Sequence, residues 1–158
     1  MSATLAERFA GWLAGLWTGA MVAIGFVAAP TLFAALPRAD AGRVAARLFE
    51  IDAYVGLAVA ALLLVLAMRS PRALHRAAKS RFSVELMLAL AALFCIVAGY
   101  FAIQPMIETA RRGDGGPSFA ALHGVASLFF LVKVVAAAVL AWRLTARRAV
   151  ATPAAPTS

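Results

Sequence analysis

Apolar residues run through this chain in four long blocks, each bounded by short charged patches. The first uncharged run extends from Phe9 to Pro37, the second from about Ile51 to Met68, the third from Phe82 past Pro105, and the fourth from Phe119 to Trp142. At about 1.5 Å of rise per residue, a helix of about 20 residues crosses the 30 Å hydrocarbon core of a bilayer. The pattern therefore predicts an all-α integral membrane protein, a four-helix bundle with spans over about 9–36, 51–68, 82–107 and 119–142. Residues 1–148 form one domain in this reading, and 149–158 form a disordered tail with no core to join. The apolar run after Arg8 is longer than the roughly 7–15 residues of a cleavable signal, so it reads as a retained span.

Between spans one and two, Asp40 to Phe49 carries Arg43 and Arg47 on one side and Val44, Leu48 and Phe49 on the other. That spacing predicts a short interfacial amphipathic helix capped by Asp40, which runs into span two or bends just before it. In the next connection Arg72, Arg76 and Lys79 fall at helical spacing, as in a basic helix lying on anionic lipid headgroups.

Composition agrees with the pattern. Of the 158 residues 64% are hydrophobic and only 14% charged, where a soluble domain carries about 25% charged residues. Mean hydropathy is +0.89. The net charge of +8 suggests nucleic acid only until the charges are placed. They lie in the connections. Nine basic residues fall on one side (Arg8; Arg69, Arg72, Arg76, Lys79, Arg81; Arg143, Arg147, Arg148) and five on the other (Arg38, Arg43, Arg47, Arg111, Arg112). The positive-inside rule then places both termini in the cytoplasm, with the chain integral to the cytoplasmic membrane, and no nucleic-acid partner is expected.

Common catalytic and cofactor motifs are missing. Cys95 is the single cysteine, and no CxxC, GxGxxG, GxxxxGK or HExxH pattern is present. His123 is the one histidine inside a span, so a bis-histidine haem is disfavoured, and no cofactor is expected. No nucleophile–base pair can be recognised, which points to a non-enzymatic protein.

Chemistry-bearing residues gather near the outer span ends: Glu50, Asp52, Glu108, Arg111 and His123, with Gln104 one turn deeper. Ionisable groups at membrane depth are functional candidates, and a carboxylate beside a histidine can bind a divalent cation or relay protons. The alternative is a salt-bridge network that fixes helix ends. Lys133 lies deep in span four, and Glu85, one turn into span three, is its expected partner in a buried charge pair. Pro30 and Pro105 interrupt spans one and three, freeing the carbonyls of Phe26 and Phe101 and kinking each helix. Gly11, Gly15 and Gly19 form a small-residue packing face for another span, a second copy of the chain or a partner membrane protein. Trp12, Trp17 and Trp142 are expected at the membrane interfaces.

The segments Gly25-Phe26-Val27-Ala28-Ala29-Pro30-Thr31-Leu32-Phe33, Leu36-Pro37-Arg38 and Ala41-Gly42-Arg43 resemble the N-terminal signature of the transmembrane protein 205-like family. Its bacterial branch is a domain of unknown function. Pro105, Arg111 and Phe119-Ala120-Ala121-Leu122-His123-Gly124 with Ser127 look like the second half of that pattern. The resemblance implies a compact four-helix membrane protein and draws attention to Pro30, Phe33 and His123, without implying a reaction. Three functions follow as expectations: a protein handling a solute or metal ion at an outer-leaflet polar site, a scaffold or accessory subunit packing through span one, and, behind both, a membrane oxidoreductase with a bound chromophore.

Overall fold

A computed structural model describes residues 5–69, 83–113 and 116–149. Four helices long and apolar enough to cross a membrane account for nearly all of it: α1 (Leu5–Ala35), α2 (Arg38–Arg69), α3 (Val84–Arg112) and α4 (Phe119–Ala149). No strand occurs among the described residues. The basic stretch from Arg72 to Lys79 and the tail beyond Ala149 lie outside the described residues.

Local chemistry sets the helix ends. Ser83 accepts a hydrogen bond from the Leu86 N–H (3.1 Å), and Ser118 accepts one from the Ala121 N–H (3.3 Å), so serine hydroxyls cap α3 and α4. Gly113 ends α3 in the left-handed conformation at φ 80°, which glycine adopts without a side-chain clash. Only Leu36 and Pro37 separate α1 from α2. The amphipathic stretch from Asp40 to Phe49 is no separate interfacial element; it forms the first turns of the continuous α2. Asp40 is not the cap. It lies in the first turn, where its carboxylate accepts from Arg43 at 2.5 Å.

In the bundle α1 packs beside α4, α4 beside α3, α3 beside α2, and α2 beside α1. Among the described residues, α2 and α4 therefore stand at opposite corners. Tyr54 meets Phe101, and the Cα of Gly56 faces Ile96, so α2 and α3 run antiparallel and both short turns lie at one end. That end is called the turn end below.

The core is built largely from alanine. Ala10 and Ala14 of α1, Ala53 and Ala60 of α2, Ala89 and Ala92 of α3, and Ala136 and Ala137 of α4 are all buried, with Trp17, Met21, Leu63, Ile96 and Leu140 among them. Small side chains on every inward face let the backbones approach closely, the main source of cohesion where lipid competes for apolar contact.

Two expectations about α1 need correction. Of the glycine row only Gly11 faces the bundle; Gly15 and Gly19 are exposed, with nothing near the position of an added Cβ. The inward face is instead Ala10, Gly11, Ala14, Trp17 and Met21, offset from the glycine row by one helical position. Trp17 is not an interfacial anchor but a core residue at 4% exposure, while Trp12 and Trp142 are 75% and 74% exposed.

The prolines act through a widened turn. Ala23–Ala28 and Val97–Ala102 are π-helical, each ending shortly before a proline. The Ala29 N–H bonds the Ile24 carbonyl and the Ile103 N–H bonds the Ala98 carbonyl, both five residues back. Proline has no N–H to give, and the ladder ahead of it reorganises by one residue. Thr31 donates its hydroxyl to the Val27 carbonyl (2.7 Å) and Thr109 to that of Pro105 (3.0 Å), each reaching a carbonyl four residues back beside the interruption. Each π-turn holds a glycine against an adjacent phenylalanine of α4. A Cβ on Gly25 would lie 2.5 Å from Cε1 of Phe130, and one on Gly99 would lie 2.7 Å from Cβ of Phe129.

Candidate functional site

α2 presents a stripe of buried residues, Ala41, Ala45, Asp52, Ala53, Gly56, Ala60 and Leu63. Asp52 shares a face with the small residues that bring α2 into the bundle, so helix packing carries its carboxylate inward. On α4 the buried stripe is Val134, Ala136, Ala137 and Leu140, and Lys133 sits at its edge facing the centre. Lys133 Nζ donates to Asp52 Oδ2 at 2.5 Å, across the diagonal of the bundle. The two side chains are 6% and 4% exposed. The ammonium also lies over the ring of Phe130, 4.8 Å from its centroid, and Phe130 meets Phe49 edge-on at 5.3 Å.

The expected Glu85–Lys133 pair does not form. Glu85 accepts from Arg143 Nε at 3.1 Å, with the arginine side chain 38% exposed. Lys133 and Arg143 are ten residues apart on α4, about 15 Å along the helix axis. That is farther than a lysine stem can cover while its own layer offers a carboxylate.

A third polar group belongs to the central layer. Trp17 of α1 packs on Gly56, one turn below Asp52 on the same face; its Nε1 would lie 3.3 Å from a Cβ placed there. That indole N–H is buried and has no hydrogen-bond partner among the described residues. Burying such a donor unsatisfied costs about 1–3 kcal/mol, so its persistence asks for an explanation. Cys95 of α3 is buried in the same region, within electrostatic reach of Lys133. The layer thus receives Trp17 from α1, Asp52 from α2, Cys95 from α3 and Lys133 from α4.

The residues expected to make an outer polar site do not converge. Asp52 belongs to the centre. Glu50 accepts from Arg47 of its own helix at 2.6 Å. Arg111 lies over the ring of Phe119, 5.1 Å from the centroid, and His123 stacks on the same ring at 5.7 Å and 9°. Glu108 is exposed and Gln104 half-buried on α3. His123 is exposed as well; its carbonyl accepts from the Ser127 hydroxyl at 2.8 Å. Among the described residues, no three His, Cys, Asp or Glu side chains come close enough to hold a metal ion.

Sequence reasoning missed the Asp52–Lys133 pairing and the role of Trp17. The signal was available in register: Asp52 is spaced from Ala45, Gly56 and Ala60 as the packing face requires, and Trp17 is spaced likewise from Ala10, Ala14 and Met21.

Four antiparallel apolar helices closed around one buried ion pair define a small multi-pass membrane protein. The chain belongs to the family described as Domain of unknown function (DUF4149), which it matches over residues 12–115, from the first turns of α1 through the end of α3. No curated protein and no solved structure matches it significantly.

Proposed function

We propose that this protein handles a small solute within the membrane, and that the solute is engaged at the Asp52–Lys133 pair. The carrying observation is the pair itself, two opposite charges at 4% and 6% exposure spanning opposite corners of the bundle. A charged side chain at the centre of a membrane helix costs about 2.5–3.5 kcal/mol on insertion scales, and such residues mark solute, ion or proton pathways. The π-turns at Ala23–Ala28 and Val97–Ala102 support the reading, because π-turns recur at functional sites and interrupted helices border solute sites in transporters. The cytoplasmic membrane, with both termini on the cytoplasmic side, is the setting that the charge asymmetry favours. Kinship with the transmembrane protein 205-like family, on the Pro30 and His123 segments, belongs to the same proposal.

The test is thermal unfolding of the detergent-solubilised protein against a panel of small cations, anions and neutral polar solutes. The Asp52→Ala/Lys133→Met double variant, which leaves no orphan charge, is the control. At least one solute should raise the melting temperature of the native protein and leave the variant unmoved. No shift with any solute, or the same shift in the variant, overturns the reading.

A second reading, a scaffold or accessory subunit, draws on α1, whose most apolar window is 6% buried against 28% in each of the other helices. Gly15 and Gly19 lie open on that outward side beside Trp12 and Leu16. Gly15→Leu should then abolish co-purification of a partner or second copy while leaving the melting temperature of the protomer in place. Unchanged association removes this reading.

A further inference from the structure

The central layer sets a buried cation near an orphaned donor. An ammonium carries three N–H donors, and Lys133 spends one on Asp52 and turns toward the Phe130 ring with its remaining surface. The Trp17 indole N–H, one turn away on the Gly56 side, has no partner among the described residues. Helical carbonyls nearby are committed to the backbone ladder. What the indole N–H lacks is a hydrogen-bond acceptor, and the ligand complementary to a cation and a stray N–H is a small anion.

Charge balance adds a condition. The resident pair is neutral as Asp52 carboxylate and Lys133 ammonium. An anion added to it would leave one uncompensated negative charge in a low-dielectric centre, which is prohibitively costly. Neutrality is restored if Asp52 takes up a proton: its carboxylate becomes a carboxylic acid, releases the ammonium, and Lys133 holds the anion in its place. One proton and one monovalent anion enter together, no bond to carbon changes, and the net charge stays at zero.

We propose, resting on the solute-handling reading above, that the solute is a small monovalent anion bound between Lys133 and Trp17 together with a proton on Asp52. Other titratable groups facing the layer are few. Among the described residues, α3 contributes Cys95 and the half-buried Tyr100, α4 contributes Lys133 itself and α1 the non-titrating Trp17, while Glu50, tied to Arg47, and Tyr54, 56% exposed, are neighbours of Asp52 on α2 that turn away from the layer. Asp52 is the carboxylate in direct contact with the ammonium.

The experiment is calorimetric titration of the purified full chain in detergent with sodium bromide and sodium nitrate, and with sodium gluconate as a bulky control. It is run in mildly acidic and mildly alkaline buffers of differing ionisation enthalpy. Bromide or nitrate should bind up to about tenfold more tightly per pH unit of acidification, with close to one proton taken up per anion. Asp52→Asn, which cannot take up the proton, should bind with an affinity independent of pH and no proton uptake. Lys133→Met should lose binding, and Trp17→Phe, which keeps the ring and deletes the N–H, should weaken it severalfold. The native protein's own pH dependence keeps the test decisive if a variant fails to fold. Affinity independent of pH in the native protein, or binding retained by Lys133→Met, overturns the proposal. Should only a cation or neutral solute stabilise the native protein in the thermal panel, the anion assignment falls and the solute-handling reading stands; should nothing bind, both fall.

Discussion

The centre of the bundle and its turn end hold comparable numbers of polar side chains and use them in opposite ways. At the centre, Asp52 and Lys133 are almost wholly out of contact with solvent and bound to each other from opposite corners. At the turn end, Glu50, Glu108, Arg111 and His123 are distributed over local contacts on their own helices or hairpin, with Arg47–Glu50 at 69% and 35% side-chain exposure. Nearness of charged residues in sequence does not assemble a site. What assembles one is a shared inward register on helices that pack through small residues, and the central layer has that register on all four helices.

Breaking the central pair is the strongest challenge to this contrast. Lys133→Met leaves the Asp52 carboxylate buried and unpaired, and Asp52→Ala does the same to the ammonium. Each should cost about 3–5 kcal/mol, the range for removing one partner of a buried pair. The Asp52→Ala/Lys133→Met double variant should recover most of the loss, because no orphan charge remains. Unfolding of all three in a common detergent measures both effects, and additive losses in the double variant would show that the two residues are not coupled.

The glycine wedges beside the centre come next. Gly25→Ala drives a methyl group to 2.5 Å from the Phe130 ring, and Gly99→Ala drives one to 2.7 Å from Phe129 Cβ. Overpacking of this kind costs about 1–3 kcal/mol. Gly25 abuts a ring edge that can rotate, whereas Gly99 meets a Cβ fixed to the backbone, so Gly99→Ala should be the more damaging. Combining Gly25→Ala with Phe130→Leu should restore part of the loss, and the same unfolding assay reads it.

The Glu85–Arg143 pair sits between the two regimes, with a buried carboxylate and a half-exposed arginine. Arg143→Ala should therefore cost less than Lys133→Met, about 1 kcal/mol after allowance for solvent screening. Raising the ionic strength should shrink the difference between native and Arg143→Ala protein and leave the Lys133→Met loss almost unchanged, since screening reaches exposed charges first.

These contrasts show which parts of the molecule the residues themselves disclosed. Apolar block lengths were enough for four helices, because crossing a bilayer demands an unbroken apolar run and little else. The positions of Pro30 and Pro105 disclosed two interrupted helices, although not that a π-turn would absorb each interruption. Pairing was less legible. Lys133 was assigned to Glu85 by counting along the chain toward the nearer membrane end, whereas rotation about the helix axis decides partners across a bundle. The Asp52 register with Gly56 and Ala60 carries that information, while the glycine row at 11, 15 and 19 does not tell a face turned to the bundle from one turned outward, and beyond Gly11 it lies outward. Trp17 was misplaced for the same reason: distance from the chain start suggested an interface, while its spacing from Ala14 and Met21 puts it in the core.

The smallest expected effect lies at the turn end, where it tests the other half of the comparison. His123 is exposed and stacked on Phe119, and its side chain enters no hydrogen bond or ion pair among the described residues. His123→Ala loses one stacking contact and gains helix propensity, two terms of a few tenths of a kcal/mol with opposite signs. Its unfolding midpoint should lie within about 0.5 kcal/mol of the native protein. Anion titration of His123→Ala should likewise match the native curve, because Lys133 is ten residues further along α4, about 15 Å away along the axis. A substantial loss of either stability or binding in His123→Ala would mean that the turn end and the centre are coupled, and the division between a working centre and a solvated end would have to be abandoned.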